Sequence, residues 1–277
     1  MIVIGTRGSA LALAQSRIVA AALGDGAGDR SGLPIRELGD GVFVTAIEDA
    51  LRTGEIDIAV HSLKDLPTSG PPDLSLAAVP VRADPRDVVI ARDRGGWRGL
   101  RAGDRVGTSS PRRDAFLKAL VPDIVCAEIR GNVDTRLRKV RDGEYDATVL
   151  AAAGLRRLLI PFGEDEALAL DVFPPAPGQG ALAVQMRADH ALFATVRASL
   201  DDRATHDAVD AEREVLRLAG ASCVLPLGTY GRSEHGEIVV DAAIATDTGI
   251  RRAHARGTKP SEVAREIAEA LGVMAHA

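Results

Sequence analysis

The chain has no run of about 18 uninterrupted apolar residues, so no apolar helix through a membrane is read in it. It has no basic excess either. A net charge of −5 and a pI near 5.7 argue against a general nucleic-acid binder and leave any anion binding to local arginine clusters. Cysteine is scarce: Cys126 and Cys223 are the only two. No basic segment precedes the apolar residues of MIVIGTRGSALALAQ, so no secretion signal is read there. Two cysteines without such a signal point to free thiols in a reducing cytoplasm. Internal repeats and low-complexity tracts are also absent. What remains is an ordinary globular composition, 46% apolar and 26% charged, in 277 residues, enough for two or three domains.

The first two-thirds alternate between strand and helix patterns. Strands are expected at residues 2–4, 56–60, 88–91, 124–129, 147–151 and 181–185, and residues 105–107 lead into TSSPRR. Helices are expected at 10–23, with Ser9 as N-cap and Gly24 as stop, at 42–51, at 111–120 and at 133–140. Ser110 reads as an N-cap with Pro111 at the first helical position. Strands separated by helices predict parallel α/β sheets. Residues 24–41, rich in Gly and Asp, show no strand and read as a mobile loop. PPAPGQG at 174–180 reads as a linker or hinge. Beyond it, a helix at 205–218, strands at 238–245 and 253–257 and a helix at 261–271 describe a small α+β domain.

Charge sits at strand ends. The apolar run IDIAV passes straight into HSLKDLPTSG, which places Lys64 beside Asp65. Arg7, Arg112, Arg113, Arg130, Arg136 and Arg157 all follow expected strands or open the helices after them. In open α/β sheets, ligands bind beyond the carboxyl ends of the strands. Six arginines there suit a ligand with several carboxylates or phosphates, because guanidinium binds such groups bidentately. The helix opening at Pro111 adds backbone N–H groups, and Ser109 and Ser110 add hydroxyls. Any one of these arginines is equally well solvated or paired with one of the chain's 39 acids; six at the same structural position are not. Asp65 either neutralises Lys64, stabilises a developing positive charge or shuttles protons. His61 reads as a hydrogen-bonded strand-end histidine rather than a general base. Cys126 reads as a small buried hydrophobe, whereas Cys223, in SCVLPLG, sits in a loop that would expose its sulfur.

The segments TRGSALALAQ, GDGVFV, HSLKDLPT, GTSSPRR, IRGNVDTRL, GEYDATVLAAAGLRRL, PAPGQGALAVQ and SCVLPLG occur in the order and spacing of the porphobilinogen deaminase (hydroxymethylbilane synthase) family, which the chain resembles over nearly its whole length. That family joins four porphobilinogen molecules head to tail, with loss of ammonia, and releases 1-hydroxymethylbilane. The resemblance implies a dipyrromethane cofactor on Cys223 through a thioether, and Asp65 as the catalytic group. Lys64, Ser9, Thr108, Ser110, Arg112, Arg113, Arg136 and Gln179 match cofactor-holding positions. Arg7, Arg130, Arg157 and Phe43 match substrate-holding ones. The implied fold is two α/β domains like type II periplasmic binding proteins plus a small α+β domain. Their expected bounds are 1–82 with 179–199, 83–178, and 200–277. A cytoplasmic monomer is expected, without metal, nucleic-acid or membrane partners. A non-catalytic binding protein for polycarboxylates, or a degenerate relative without cofactor, would use the same arginines. One departure stands out. The family's strand between the first helix and the glycine-rich loop is expected to be missing here, and with it some stability.

Overall fold

A computed structural model describes residues 2–27, 33–38, 44–92, 95–220 and 225–275. Phe43, Cys223 and, of the expected loop, residues 28–32 and 39–41 lie outside the described residues. The strands are β1 (Ile4–Thr6), β2 (Ile35–Glu37), β3 (Ile58–Ser62), β4 (Leu74–Ala78), β5 (Asp87–Ala91), β6 (Arg105–Gly107), β7 (Val125–Ala127), β8 (Ala147–Ala151), β9 (Leu182–Arg187), β10 (Leu227–Glu234), β11 (Glu237–Thr246) and β12 (Gly249–Gly257). The helices are α1 (Ala10–Ala27), α2 (Val44–Thr53), α3 (Pro111–Leu120), α4 (Val133–Arg141), α5 (Ala152–Arg157), α6 (Phe193–Leu200), α7 (Arg203–Leu218) and α8 (Pro260–Leu271).

The chain divides into two compact units, Met1–Ala83 with Ala181–Asp207, and Asp84–Gly180 with Ala208–Ala277. The first holds one sheet in the order β2-β1-β3-β9-β4. β3 forms its centre because its first three residues, Ile58, Ala59 and Val60, are apolar on both faces. Ile58 and Val60 pack under Val19, Leu23 and Val196, while Ala59 faces Ile47 and Leu51 of α2. The second unit holds two sheets. One, β5-β8-β6-β7, packs Val106 and Val149 against Phe116 and Leu117 of α3. The other, β10-β11-β12, is antiparallel and packs on Val215 of α7 and Val263 and Ile267 of α8.

Several expectations are corrected. The strand expected to be missing is present. β2 pairs in parallel with β1, Ile4 opposite Ile35 and Thr6 opposite Glu37, at the sheet edge. Leu33 and Ile35 pack against the first unit's core. Only one of its three residues is apolar, so nothing in its own pattern marks it as a strand; backbone pairing with β1 makes it one. Gly24 does not stop α1, which continues to Ala27. Gly24 does not take the left-handed conformation that a terminating glycine needs. The sheets are mixed rather than parallel: β9 runs antiparallel to β3 and β4, and β5 antiparallel to β8. β4, α5, α6 and β10 were not expected.

Candidate active site

In the first unit β1 and β3 run parallel, so both leave the sheet at one edge. Arg7 follows β1, and Asp65 lies in the short 3-10 turn Leu63–Asp65 after β3. Arg7 Nη2 stands 3.9 Å from Asp65 Oδ2, with the side chains 47% and 51% exposed. This is an ion pair without a hydrogen bond, so the carboxylate keeps its acceptor sites toward solvent. Ser9 Oγ accepts from the Ala12 N–H at 3.3 Å and caps α1. Gln15 Nε2 of α1 donates to Ser62 Oγ at 2.7 Å, which fixes the helix to the turn that carries Lys64 and Asp65. His61 is buried, and its Nε2–H donates to Gln185 Oε1 at 3.1 Å. Burial pushes its pKa down to about 4. It is the hydrogen-bonded strand histidine expected, neutral at physiological pH.

In the second unit β6, β7 and β8 are parallel, so α3, residues 130–136 and α5 leave the sheet at a common edge. Ser110 caps α3, its Oγ accepting from the Arg113 N–H at 3.4 Å, with Pro111 in the first turn. Thr108 Oγ1 accepts from the Ser110 N–H at 3.2 Å, and Ser109 Oγ donates to the Ile129 carbonyl at 2.8 Å. These hydroxyls hold the loop.

Arg112 and Arg113 are buried and converge on Asp87, which is fully buried. Arg112 Nη2 donates to Asp87 Oδ2 at 2.7 Å and Arg113 Nη2 to Oδ1 at 2.6 Å. Burial lowers the Arg112 pKa, and Asp87 opposes that. Arg136 is partly buried: burial, then the Arg113 charge, lowers its pKa. Its Nε donates to the Gly131 carbonyl at 2.9 Å. Arg157 Nη2 donates to the Gly180 carbonyl at 2.7 Å, and burial lowers its pKa to about 10. Among the described residues no carboxylate pairs with Arg136 or Arg157.

Arg130 and Gln179 differ in exposure. Arg130 is 85% exposed and paired with Glu128 at 2.8 Å. Gln179 is fully buried, its Nε2 donating to the Pro85 carbonyl at 2.7 Å. Cys126 is half-buried; burial, reinforced by Asp114, raises its thiol to about 12, in keeping with an inert packing residue. Asp87 was missed. The signal was available in DPRD, an acid that immediately precedes the apolar run VVIA. What hid it was the assumption of parallel strands. β5 is antiparallel to β8 with Asp87 opposite Ala151, so β5 begins at the edge where β8 ends.

Residues 2–195 match the family model described as porphobilinogen deaminase, dipyromethane cofactor binding domain. Curated relatives named porphobilinogen deaminase include one from Roseiflexus sp. (strain RS-1), 44% identical, covering 95% of this chain and 92% of that protein. One from Mycobacterium ulcerans (strain Agy99) is 44% identical over 98% of this chain and 93% of its own length. Among solved structures, a putative methionine-binding lipoprotein from Bacillus subtilis subsp. subtilis str. 168 is 12% identical, with a TM-score of 0.47, over 73% of this chain and 90% of that one. With the family model matched over most of the chain and relatives matched nearly end to end, the chain belongs to the porphobilinogen deaminase family.

Proposed function

We propose that this chain condenses four porphobilinogen molecules head to tail, with loss of ammonia, to give 1-hydroxymethylbilane, with Asp65 as its catalytic group and a dipyrromethane cofactor held on Cys223 by a thioether. The observation that carries the ligand's chemistry is the state of Arg136 and Arg157. Both are partly buried cations with no carboxylate partner among the described residues. Burying a charge without a partner is costly. A pyrrole carrying acetate and propionate side chains supplies the missing anions, so these residues fit the cofactor and substrate. When bound, the dipyrromethane supplies the free pyrrole carbon at which the chain grows.

Asp65 acts electrostatically. It is half-exposed and linked to Arg7 only at 3.9 Å. It can accept pyrrole N–H groups and stabilise the cation left on the substrate when ammonia departs. Arg7, with Lys64 and Ser9, then orients substrate on the first unit, and Arg112, Arg113, Arg136 and Arg157 bind carboxylates on the second. Thr108, Ser110 and Gln179 act by fixing the segments that carry these arginines, and Arg130 and Phe43 complete the substrate-holding set. A pure anion binder would need the arginines but not Asp65, and family membership favours the enzyme. The three sheets correspond in this reading to three domains, in a cytoplasmic monomer. Among the described residues no helix is long and apolar enough to cross a membrane.

The intact denatured mass tests this. A mass excess of two linked pyrrole units, lost in Cys223→Ser and kept in Cys126→Ser, supports the assignment. An excess that survives Cys223→Ser overturns the attachment site. A bare mass that stays bare after incubation with porphobilinogen overturns the deaminase reading.

A further inference from the structure

Arg112 and Arg113 are consecutive in the first turn of α3, so their side chains leave the helix about 100° apart. Both nevertheless end on one carboxylate. Arg112 takes Asp87 Oδ2 through Nη2, while Arg113 takes Oδ1 through Nη2 and, at 3.1 Å, through Nε. Each guanidinium is anchored a second time by a backbone carbonyl, Arg112 Nη1 to Pro174 at 2.7 Å and Arg113 Nη1 to Val149 at 2.8 Å. The planes of both groups are therefore set.

The cluster is not self-sufficient. Two guanidiniums against one carboxylate leave one positive charge, and the Arg113 charge is also felt by Arg136. Arg112 Nε is buried and has no hydrogen-bond partner. A buried donor left open is costly. An ion cluster serving the fold alone would close that donor and balance that charge. This one leaves the charge for something anionic, and the open Nε marks a guanidinium placed for Asp87 rather than for its own hydrogen bonding.

We propose that Asp87 is a positioning residue for the porphobilinogen reaction. By dividing its two oxygens between Arg112 and Arg113, it holds the pair in one orientation and leaves the pair's residual positive charge for a ligand carboxylate. This rests on the reading that the second unit's arginines receive pyrrole carboxylates.

The test titrates cofactor-free protein with porphobilinogen at low temperature, where thermal melts show each variant folded, and reads adduct formation by intact mass. Asp87→Asn keeps the shape and removes the charge. Asp84→Asn is the control, since Asp84 lies in the same segment and holds Arg86 at 2.7 Å and Arg156 at 3.1 Å. Half-maximal loading is expected to need at least about tenfold more porphobilinogen in Asp87→Asn and to stay within about twofold in Asp84→Asn. Arg113→Lys keeps the charge but loses the fork on Oδ1, and is expected to shift by about tenfold as well; it decides the matter if Asp87→Asn does not fold. Loading of Asp87→Asn at the wild-type concentration, an equal shift in Asp84→Asn, or an unshifted Arg113→Lys overturns the positioning role. Wild-type protein that does not load at all overturns the underlying reading and the role with it.

Discussion

Arg7 Nη2 and Asp65 Oδ2 face each other at 3.9 Å across the ends of two parallel strands, and each is about half exposed. The pair is close enough to orient the carboxylate and too long to consume it. Asp65→Ala is therefore expected to leave stability within about 0.5 kcal/mol, as for other exposed pairs. Turnover should fall by about 10²–10³ or more, the usual loss on removing one electrostatic stabiliser, with the cofactor mass retained. Rapid-quench turnover and intact mass on one preparation check both; turnover within threefold of wild type would remove Asp65 from its role.

His61 should give the protein an acid limb of known sign. Its folded pKa is lowered to about 4, from an ordinary value near 6.5, by burial. Between those values the unfolded chain binds the proton and the folded chain does not. The stabilisation is complete above about pH 6.5 and is lost as pH falls toward 4, by roughly 3 kcal/mol at the bottom of the window. Denaturant melts from pH 7 to 4 should show a shallower decline for His61→Asn than for wild type. Parallel declines would mean that His61 is not the titrating group.

Arg157 separates stability from binding. It is partly buried, its charge is disfavoured there, and its hydrogen bond goes to the Gly180 carbonyl. Replacing it with Met removes an unpaired cation and one hydrogen bond, terms of opposite sign, so the unliganded melt should move by no more than about 1 kcal/mol. The loss of a charged contact to a substrate carboxylate should raise KM for porphobilinogen about 10–100-fold. An unchanged KM would show that no carboxylate reaches this position.

Leu159 occupies a backbone position suited to glycine. After α5, its N–H donates to the Arg156 carbonyl at 3.0 Å and the Ile160 N–H to that of Leu155 at 2.9 Å, with Leu159 at φ 57°. This is a Schellman termination. The same pattern after α4 uses Gly143, at φ 81°. The Leu159 side chain is 89% exposed, so little packing offsets the left-handed backbone. Leu159→Gly should raise stability by up to about 1 kcal/mol, the strain relieved exceeding the extra chain entropy of glycine. Thermal melts would show a gain of a few degrees at most, and a lower midpoint would contradict the strain.

Much of the site was legible locally. Ser110 as N-cap and Pro111 in the first turn follow from hydrogen-bonding needs spanning three residues, and α3 runs over the expected residues. β8 begins and ends where its apolar run does. Burial of His61 and its hydrogen bonding agreed with its place at the end of an apolar strand. β2 was not legible, because Ile-Arg-Glu has no strand pattern of its own and is held by β1. Asp87 is visible in the sequence as an acid before an apolar run, but its pairing with Arg112 and Arg113 depends on the antiparallel direction of β5, which brings together residues 25 and 26 positions apart.

By itself, then, the sequence determined where helices start, which runs are buried, and which charged residues stand at strand ends, together with motifs specific enough to indicate the family. Capping and periodicity act over a few residues and can be read from them. Only the tertiary structure decided that β5 and β9 run against their neighbours, that β2 closes the sheet edge, and that two of the expected ligand-binding arginines share a buried carboxylate. Those outcomes depend on which distant segments lie side by side. Strand direction sets which residue reaches the functional edge, and it is fixed by the packing of the whole sheet.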